Sequence, residues 1–478
     1  MGQGIQTVAQ TDSSRHHAVV GADSRPCRKP CGRHARPCIE PDTSATELAA
    51  FIKGVFPSLA HWFAALPDGR RQELCKYSGT HLWFHVLLLF LTRAGSSNAF
   101  DLQRNSGVLP VNLGELCGQK ADDPRFGGVP TVTCADNATH HASRTDPEPV
   151  AAIPTQMIRR LMDRRLLESA RLFHTHYVLI VDGTVQEKCR KGFTQGGKAG
   201  GSGEALYRYV LSLSILAPGG FALPFLHEAV DMRNPETDKE DCELEAFRRL
   251  VPRLKALFPR LAFCLVGDAL YAVQSIAALC SQEAWRYVFS FKEGRQPTLW
   301  EEMLALLPEQ PLHRLRFHSS DPAHPAQRDF RWVDELPFGA PDQTATVILE
   351  GEVTPQAATL YAWITNVPNL TDQRVLSLVN ATGRKRHCIE DLFNAQKNNG
   401  VGLEHVFCAN ATASKNYYSI MQVAEIIWRL FYGGHLARLY EWAKRSSQMV
   451  LARALADGLR SVRLPPDIPP LGQLRFDT

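Results

Sequence analysis

The sequence lacks a hydrophobic run long enough to cross a lipid bilayer. Its most apolar stretch covers residues 82–91 and contains His85, whereas a membrane-spanning helix needs about 20 apolar residues. The first thirty residues carry charged side chains and no apolar run, so no secretory signal is visible. We therefore expect a cytoplasmic protein without membrane segments, in which the 12 cysteines are reduced thiols.

The sequence also lacks a strong overall charge. Its 53 Lys and Arg residues are almost balanced by 49 Asp and Glu residues, which leaves a net charge of +4. The total charge therefore does not by itself indicate nucleic-acid binding. The distribution is uneven, because residues 383–463 contain 12 Lys and Arg against 6 Asp and Glu.

Four potential zinc ligands lie near the N-terminus, at Cys27, Cys31, His34 and Cys38. Their residue types suit zinc, but their spacing is not one that zinc sites commonly use. The surrounding sequence is rich in Pro and Arg, which favours a disordered basic tail over residues 1–45. The sequence leaves open whether this tail binds metal.

The pattern of apolar residues divides the rest of the chain. Helical periodicity predicts a helical N-terminal region over residues 46–170. Residues 171–292 then show the order strand, strand, strand, helix, strand, helix, strand. This order predicts an α/β fold in which an antiparallel meander continues into βαβ units, so that helices flank a mixed sheet.

Residues 293–362 contain segments that alternate in period two between Pro and Gly loops, which predicts a β-rich insertion. Residues 363–445 return to the α/β pattern and then to helices. They include the helix that begins within "GRKRHCIEDLFNAQKNNG", residues 383–400. We expect residues 446–478 to form a C-terminal tail.

Two aspartates follow strand-like apolar segments. Asp182 follows "YVLIV" and Asp268 follows "AFCLVG". Open α/β sheets place ligands and catalytic groups at the carboxyl ends of their strands. An acid after a strand is also a common turn former, so each aspartate alone has two explanations.

A third acid, Glu390, lies on the predicted helix between two bases. Arg386, Glu390 and Lys397 are four and then seven residues apart, which places them on one helix face while Ile389 and Leu392 face away. The three polar residues could simply form a solvated, ion-paired face. Alternatively, three converging carboxylates would need a cation, and oxygen ligands favour Mg²⁺ or Mn²⁺.

The motif Arg386-x3-Glu390-x6-Lys397 resembles part of the signature of bacterial insertion-sequence transposases of the DDE type, in the group named for its Tyr-Arg-Glu-Lys pattern. The segments "IVDGT", "KEDCELEAFRRL", "VGDALYA", "WITNVP" and "NAQKNNGVGLEH" are also similar to that family. The similarity runs from about Lys76 to the C-terminus. It implies an RNase H-like core over residues 171–292 and 363–445, interrupted by the β-rich insertion, and an N-terminal helical region that binds DNA ends.

The resemblance implies that Asp182, Asp268 and Glu390 are catalytic residues that together hold two Mg²⁺ ions, which Mn²⁺ can replace. Such an enzyme cleaves element ends and transfers the freed 3′-OH into target DNA. Arg386 and Lys397 would hold the DNA backbone. The implied partners are double-stranded DNA, as terminal inverted repeats and target, and a second copy of the chain on that DNA, within the bacterial cytoplasm and nucleoid.

Two further DNA contacts are possible, and one residue departs from the family pattern. Trp332 in the insertion could stack on an extruded base or pack in the core, and Lys292 could bind phosphate or be a solvated strand end. Gly383 stands where the signature has Tyr. Two alternatives remain open: an RNase H-like nuclease without strand transfer, and an inactive transposase relic that only binds DNA.

Overall fold

The structure is a computed structural model that describes residues 41–189, 198–199, 206–230, 239–318, 326–472 and 474. These residues all belong to one compact unit, Ile39–Thr478. The predicted basic tail up to residue 40, with its four potential zinc ligands, lies outside the described residues. Residues 41–45, which the sequence analysis assigned to that tail, are instead the start of a helix.

Helices occupy the described chain before the first strand and recur throughout the rest. The first seven are α1 (Pro41–Val55), α2 (Leu59–Ala64), α3 (Gly79–Leu91), α4 (Ser97–Asp101), α5 (Leu109–Cys117), α6 (Ala135–Ala142) and α7 (Pro147–Asp163). The later ones are α8 (Lys239–Leu257), α9 (Gln274–Gln282), α10 (Pro297–Leu306), α11 (Asp372–Ala381), α12 (His387–Asn398), α13 (Ala411–Trp428), α14 (Ala437–Leu439), α15 (Glu441–Arg445) and α16 (Gln448–Ser461).

The strands within the described residues form one ten-stranded sheet. They are β1 (Tyr177–Cys189), β2 (Lys198–Ala199), β3 (Leu206–Ala217), β4 (Phe221–Ala229), β5 (Phe263–Gly267), β6 (Arg286–Ser290), β7 (Arg314–His318), β8 (Gln327–Pro337), β9 (Thr344–Val353) and β10 (Ala358–Thr365). Their order is β2-β3-β1-β5-β6-β10-β9-β8-β7. Strand β2 pairs with residues 206–207 of β3, and β4 pairs with residues 210–217 of β3.

The sheet is mixed, as the order of predicted elements required. Strands β1, β3 and β4 form an antiparallel meander, whereas β1, β5 and β6 are parallel neighbours. All five residues of β5 are buried, because helices cover the faces of the parallel part and a strand there must be apolar throughout. The predicted α/β class with flanking helices is therefore confirmed.

The β-rich segment extends this sheet and does not form a separate one. The period-two pattern correctly predicts strands β7, β8 and β9, and the exposure of β7 alternates residue by residue. Strand β10 then pairs with β6 on one side and β9 on the other. The segment is thus hydrogen-bonded to β6, which is the neighbour of β5 in the sheet.

The N-terminal helices pack into the same compact unit as the sheet. Helix α3 contains the most apolar stretch of the chain and is buried along its length, including His85, and it packs against α13. Within the described residues, no helix is both long and apolar enough to cross a membrane.

The prediction of a C-terminal tail from residue 446 is wrong for its first half. Helix α16 begins at Gln448 and buries Leu451, Leu455 and Leu459 against the rest of the protein. It packs on α1, from the other end of the described chain. The apolar residues recur at helical spacing, but their burial depends on a partner that is distant in sequence.

Candidate active site

Asp182 lies inside β1, and does not end the strand as the sequence analysis predicted. Strand β1 continues to Cys189 because β3 pairs with it over that length, with Ser212 opposite Asp182. The parallel pairing with β5 has already ended at Ile180. Asp182 therefore lies at the carboxyl end of the parallel part of the sheet, where β1 has a pairing partner on one side.

Asp268 follows the last residue of β5, as predicted. Ile180 pairs with Val266 in the parallel register, so continuing that register by two residues places Asp268 beside Asp182. The Asp268 Oδ1 atom accepts a hydrogen bond from the backbone N–H of Leu270 at 2.9 Å. Asp268 is thus both a turn former and a neighbour of Asp182.

The electrostatic environment of Asp182 connects the groups of this site. Burial raises the pKa of the Asp182 carboxyl to about 7. The positive charge of Arg386 opposes this rise, and the acids Asp268 and Glu243 add to it. A carboxylate among other acids is stabilised by any cation that reaches it, so this site favours cation binding.

Glu243 is a member of this site that the sequence analysis missed. It lies on α8 and is 5% exposed. A Cβ atom added at Gly183 would lie 2.7 Å from the Glu243 Oε1 atom, so the carboxyl group occupies the space that a side chain at position 183 would need. The glycine directly after Asp182 was the available signal, because it permits a close approach to the backbone.

Helix α12 brings the predicted polar stripe to Asp182. Arg386 is the residue before the first turn of α12, and its Nη1 atom lies 3.9 Å from the Asp182 Oδ2 atom. Its Nη2 atom donates a hydrogen bond to Glu390. The Arg386 guanidinium therefore lies between the two carboxylates, and the Glu390 side chain remains 50% exposed.

Lys397 lies further along α12 and contacts a different acid. Its Nζ atom is 2.8 Å from the Glu404 Oε1 atom. The Glu404 backbone is tied to β1, because its N–H donates to the Gln186 carbonyl and its carbonyl accepts from the Lys188 N–H. Lys397 is therefore held beside β1, beyond Asp182 in the direction of Cys189.

Gly383 is packed against an indole ring. A Cβ atom added at Gly383 would lie 2.5 Å from Nε1 and 2.6 Å from Cε2 of Trp363. Trp363 is 4% exposed and stacks on Tyr361, with ring centroids 5.8 Å apart. A larger residue at position 383 would require the indole to move, so the packing of Trp363 on β10 favours Gly at this position.

The next residue, Arg384, anchors this turn to the insertion strands. Its guanidinium lies 3.8 Å from the centroid of the Tyr361 ring and donates to Glu350 and Glu352 of β9. Glu350 is fully buried and is also hydrogen-bonded by Arg328 of β8. The β-rich segment thereby holds the turn from which α12 and Arg386 begin.

The two remaining predicted DNA contacts, Trp332 and Lys292, do not contact Asp182, Arg386 or Glu390 in the structure. Trp332 is 2% exposed and stacks on His313 with ring centroids 5.1 Å apart, so it has the core-packing environment that the sequence analysis had left as the alternative. Lys292 is exposed, two residues past β6. It lies at the same edge of the sheet as Asp268, because β5 and β6 are parallel.

The acids of the site offer the type of ligand atom that divalent cations such as Mg²⁺ bind. Asp182, Glu243, Asp268 and Glu390 offer oxygen donors alone, the ligand type that Mg²⁺ and Mn²⁺ prefer. In the described part of the chain, no three acidic, His or Cys side chains converge closely enough to hold an ion as they stand. Arg386 occupies the space between Asp182 and Glu390, so cation binding by both would require its guanidinium to move.

A scan of known family models finds no match to this chain, and a search of curated proteins finds no match either.

Proposed function

We propose that the protein is an insertion-sequence DNA transposase with an RNase H-like catalytic core. The observation that carries this proposal is the position of Arg386, whose guanidinium lies 3.9 Å from Asp182 and donates a hydrogen bond to Glu390. Asp182 is far from Arg386 and Glu390 in sequence, and all three are residues on which the family resemblance rests. The meander that continues into parallel strands, and the β-rich segment before α12, agree with the same proposal.

Asp182, Asp268 and Glu390 would hold two Mg²⁺ ions, which Mn²⁺ can replace. When bound, such ions activate the attacking oxygen and stabilise the leaving oxygen of a phosphodiester. The three carboxylates come from two parallel strands and one helix, so the sheet and α12 fix their relative positions. Their role is to supply negative charge at the place where cations and a DNA phosphate must meet.

Arg386 would change partners during this reaction. It neutralises Asp182 and Glu390 in the protein alone, and a guanidinium released from these acids can bind a phosphate oxygen. Lys397 and the other bases of residues 383–463 would contact the DNA backbone, which contributes affinity without sequence specificity. The N-terminal helices would bind the element ends, and a homodimer would pair two of them in the bacterial cytoplasm.

Cleavage of a labelled duplex that carries the element's own end tests the proposal. The wild-type chain should nick the duplex with Mg²⁺ and not with EDTA, and Glu390→Gln should abolish nicking while DNA binding is retained. Asp391→Asn is the matched control, because Asp391 is the next residue and its side chain is 66% exposed. The control should cut like the wild type.

The outcomes separate the alternatives. Nicking followed by joining to a second duplex supports a transposase, whereas nicking without joining under the same conditions supports a nuclease. A folded wild-type chain that binds the end and never cuts it would support a DNA-binding relic. Equal cleavage by Glu390→Gln and the wild type would exclude Glu390 from the site.

A further inference from the structure

Glu243 is positioned by packing that places its carboxyl group next to the two aspartates. Its Oε1 atom would be 2.7 Å, and its Oε2 atom 2.9 Å, from a Cβ atom at Gly183. The residue one helical turn further on, Phe247, faces the same way and meets the Tyr271 ring edge to face, with centroids 5.6 Å apart. Helix α8 therefore directs Glu243 towards Gly183, where the parallel pairing of β1 with β5 has ended.

Tyr271 supplies a second and independent indication of a ligand. Its side chain is 1% exposed, and its ring packs on the backbone of Gly267, directly before Asp268. Its hydroxyl has no hydrogen-bond partner among the residues that the structure describes, and burial first and then the charges of Glu243, Asp182 and Asp268 raise its pKa. A buried hydroxyl without a partner costs free energy, and a bound cation with its water ligands would supply one.

We propose that Asp182, Glu243 and Asp268 form a divalent-cation site that binds one Mg²⁺ or Mn²⁺ ion without Glu390. The inference rests on the proposed function in taking the two aspartates as cation ligands, and adds Glu243 as a third ligand from a different helix. Two observations favour Glu243 over Glu390 as the third ligand of this ion. Glu243 is buried beside Asp182, whereas the Glu390 side chain is half exposed and paired with Arg386.

The charge balance gives the proposal a physical basis. Besides burial, the charges of Asp268 and Glu243 raise the pKa of the Asp182 carboxyl, and the Arg386 guanidinium lies 3.9 Å from that carboxyl. A divalent ion bound beside Asp182 would offset this repulsion. Replacement of Glu243 by Gln keeps the shape of the side chain and removes one negative charge, so it should weaken cation binding.

Direct Mn²⁺ binding to the full-length chain, measured by titration calorimetry without DNA, tests this proposal. Glu243→Gln should weaken the binding of the first ion by at least about tenfold, as loss of groups around metal sites does. The control Glu245→Gln changes a neighbouring acid of α8 that is 60% exposed. Both Glu245→Gln and Glu390→Gln should bind the first ion within about twofold of the wild type.

Thermal unfolding of the same variants separates binding from folding. In EDTA, the unfolding temperatures of Glu243→Gln and the wild type give the effect of the substitution on folding alone. Added Mn²⁺ should raise the unfolding temperature of the wild type and Glu245→Gln, and raise that of Glu243→Gln much less. An equal Mn²⁺ affinity for Glu243→Gln and the wild type would overturn the proposal, as would a folded wild type that binds no Mn²⁺ at millimolar concentration.

The results of this experiment can contradict the cation site without contradicting the proposed function, and the reverse. Unchanged Mn²⁺ binding in Glu243→Gln, with cleavage lost in Glu390→Gln, would overturn the inference and leave the transposase proposal standing. Mn²⁺ binding that depends on Glu243 in a chain that never cuts DNA would support the cation site and contradict the enzyme.

Discussion

Replacing Gly383 with Ala adds one methyl group at the position where the family signature has Tyr. Its Cβ atom would lie 2.5 to 3.0 Å from three atoms of the Trp363 indole, so either the ring or the turn must shift. Such overpacking costs about 1–3 kcal/mol. The reduced entropy of the unfolded chain returns about 0.4–1 kcal/mol, so the net loss lies between about 0 and 2.6 kcal/mol, and the middle of both ranges gives about 1.3 kcal/mol.

The loss should appear as a lower unfolding temperature. An unfolding entropy of about 2.1 cal/mol/K per residue, over the compact unit Ile39–Thr478, makes a loss of about 1.3 kcal/mol equivalent to about 1–2 °C. Differential scanning calorimetry resolves this difference between matched samples. Gly69→Ala is the control, because a Cβ atom there would meet nothing within 4 Å, and it should leave the unfolding temperature unchanged or slightly raised.

A double substitution shows whether the indole causes the loss. Trp363→Ala removes the indole and with it the atoms contacted by the new methyl group, so Gly383→Ala should cost less in the Trp363→Ala background than in the wild type. If Gly383→Ala is as harmless as Gly69→Ala, or if the two costs simply add, the packing explanation for Gly at position 383 is wrong.

Three further predictions concern the surroundings of the site. Glu350→Gln should lower the free energy of unfolding by about 3–5 kcal/mol in urea titrations, because the buried Glu350 pairs with Arg328 and Arg384; a loss below about 1 kcal/mol would contradict that role. The raised pKa of Asp182 means that the native state holds a proton that the unfolded state has lost, so this group lowers stability as pH rises from about 4 towards 7. In EDTA, the free energy of unfolding of Asp182→Asn minus that of the wild type should therefore be larger at pH 8 than at pH 4. An equal difference at both pH values would refute the raised pKa of Asp182. Trp332→Ala should cost about 3–5 kcal/mol of stability, whereas loss of DNA affinity with unchanged stability would show that its ring binds DNA.

Local patterns in the sequence predict the elements that depend on local physics. The strand and helix alternation of residues 176–292, the end of β5 before Asp268, and the apolar face of α12 are each expressed in a few neighbouring residues. Ile389 and Leu392 are fully buried, as helical periodicity predicts. The sequence also correctly predicts that Arg386 and Glu390 share a helix face.

The features that could not be predicted depend on partners distant in the chain. Asp182 lies inside β1 because β3 extends the pairing, and Glu243 reaches the site because α8 crosses the backbone at Gly183. Helix α16 is buried by α1. Position 383 is occupied by Gly because Trp363 fills the adjacent space, and no local pattern in the chain contains that information.

We propose that Asp268 is a cation ligand in a DNA-cleaving site, and metal-dependent cleavage by Asp268→Cys is the sharpest test of that role. A thiolate is a poor ligand for Mg²⁺ and a better one for softer ions such as Mn²⁺. The account predicts that the wild type cuts the element-end duplex with either ion, and that Asp268→Cys cuts it with Mn²⁺ and not with Mg²⁺. Cleavage by Asp268→Cys that is equally fast with both ions, or a folded wild type that cuts with neither, would contradict the account.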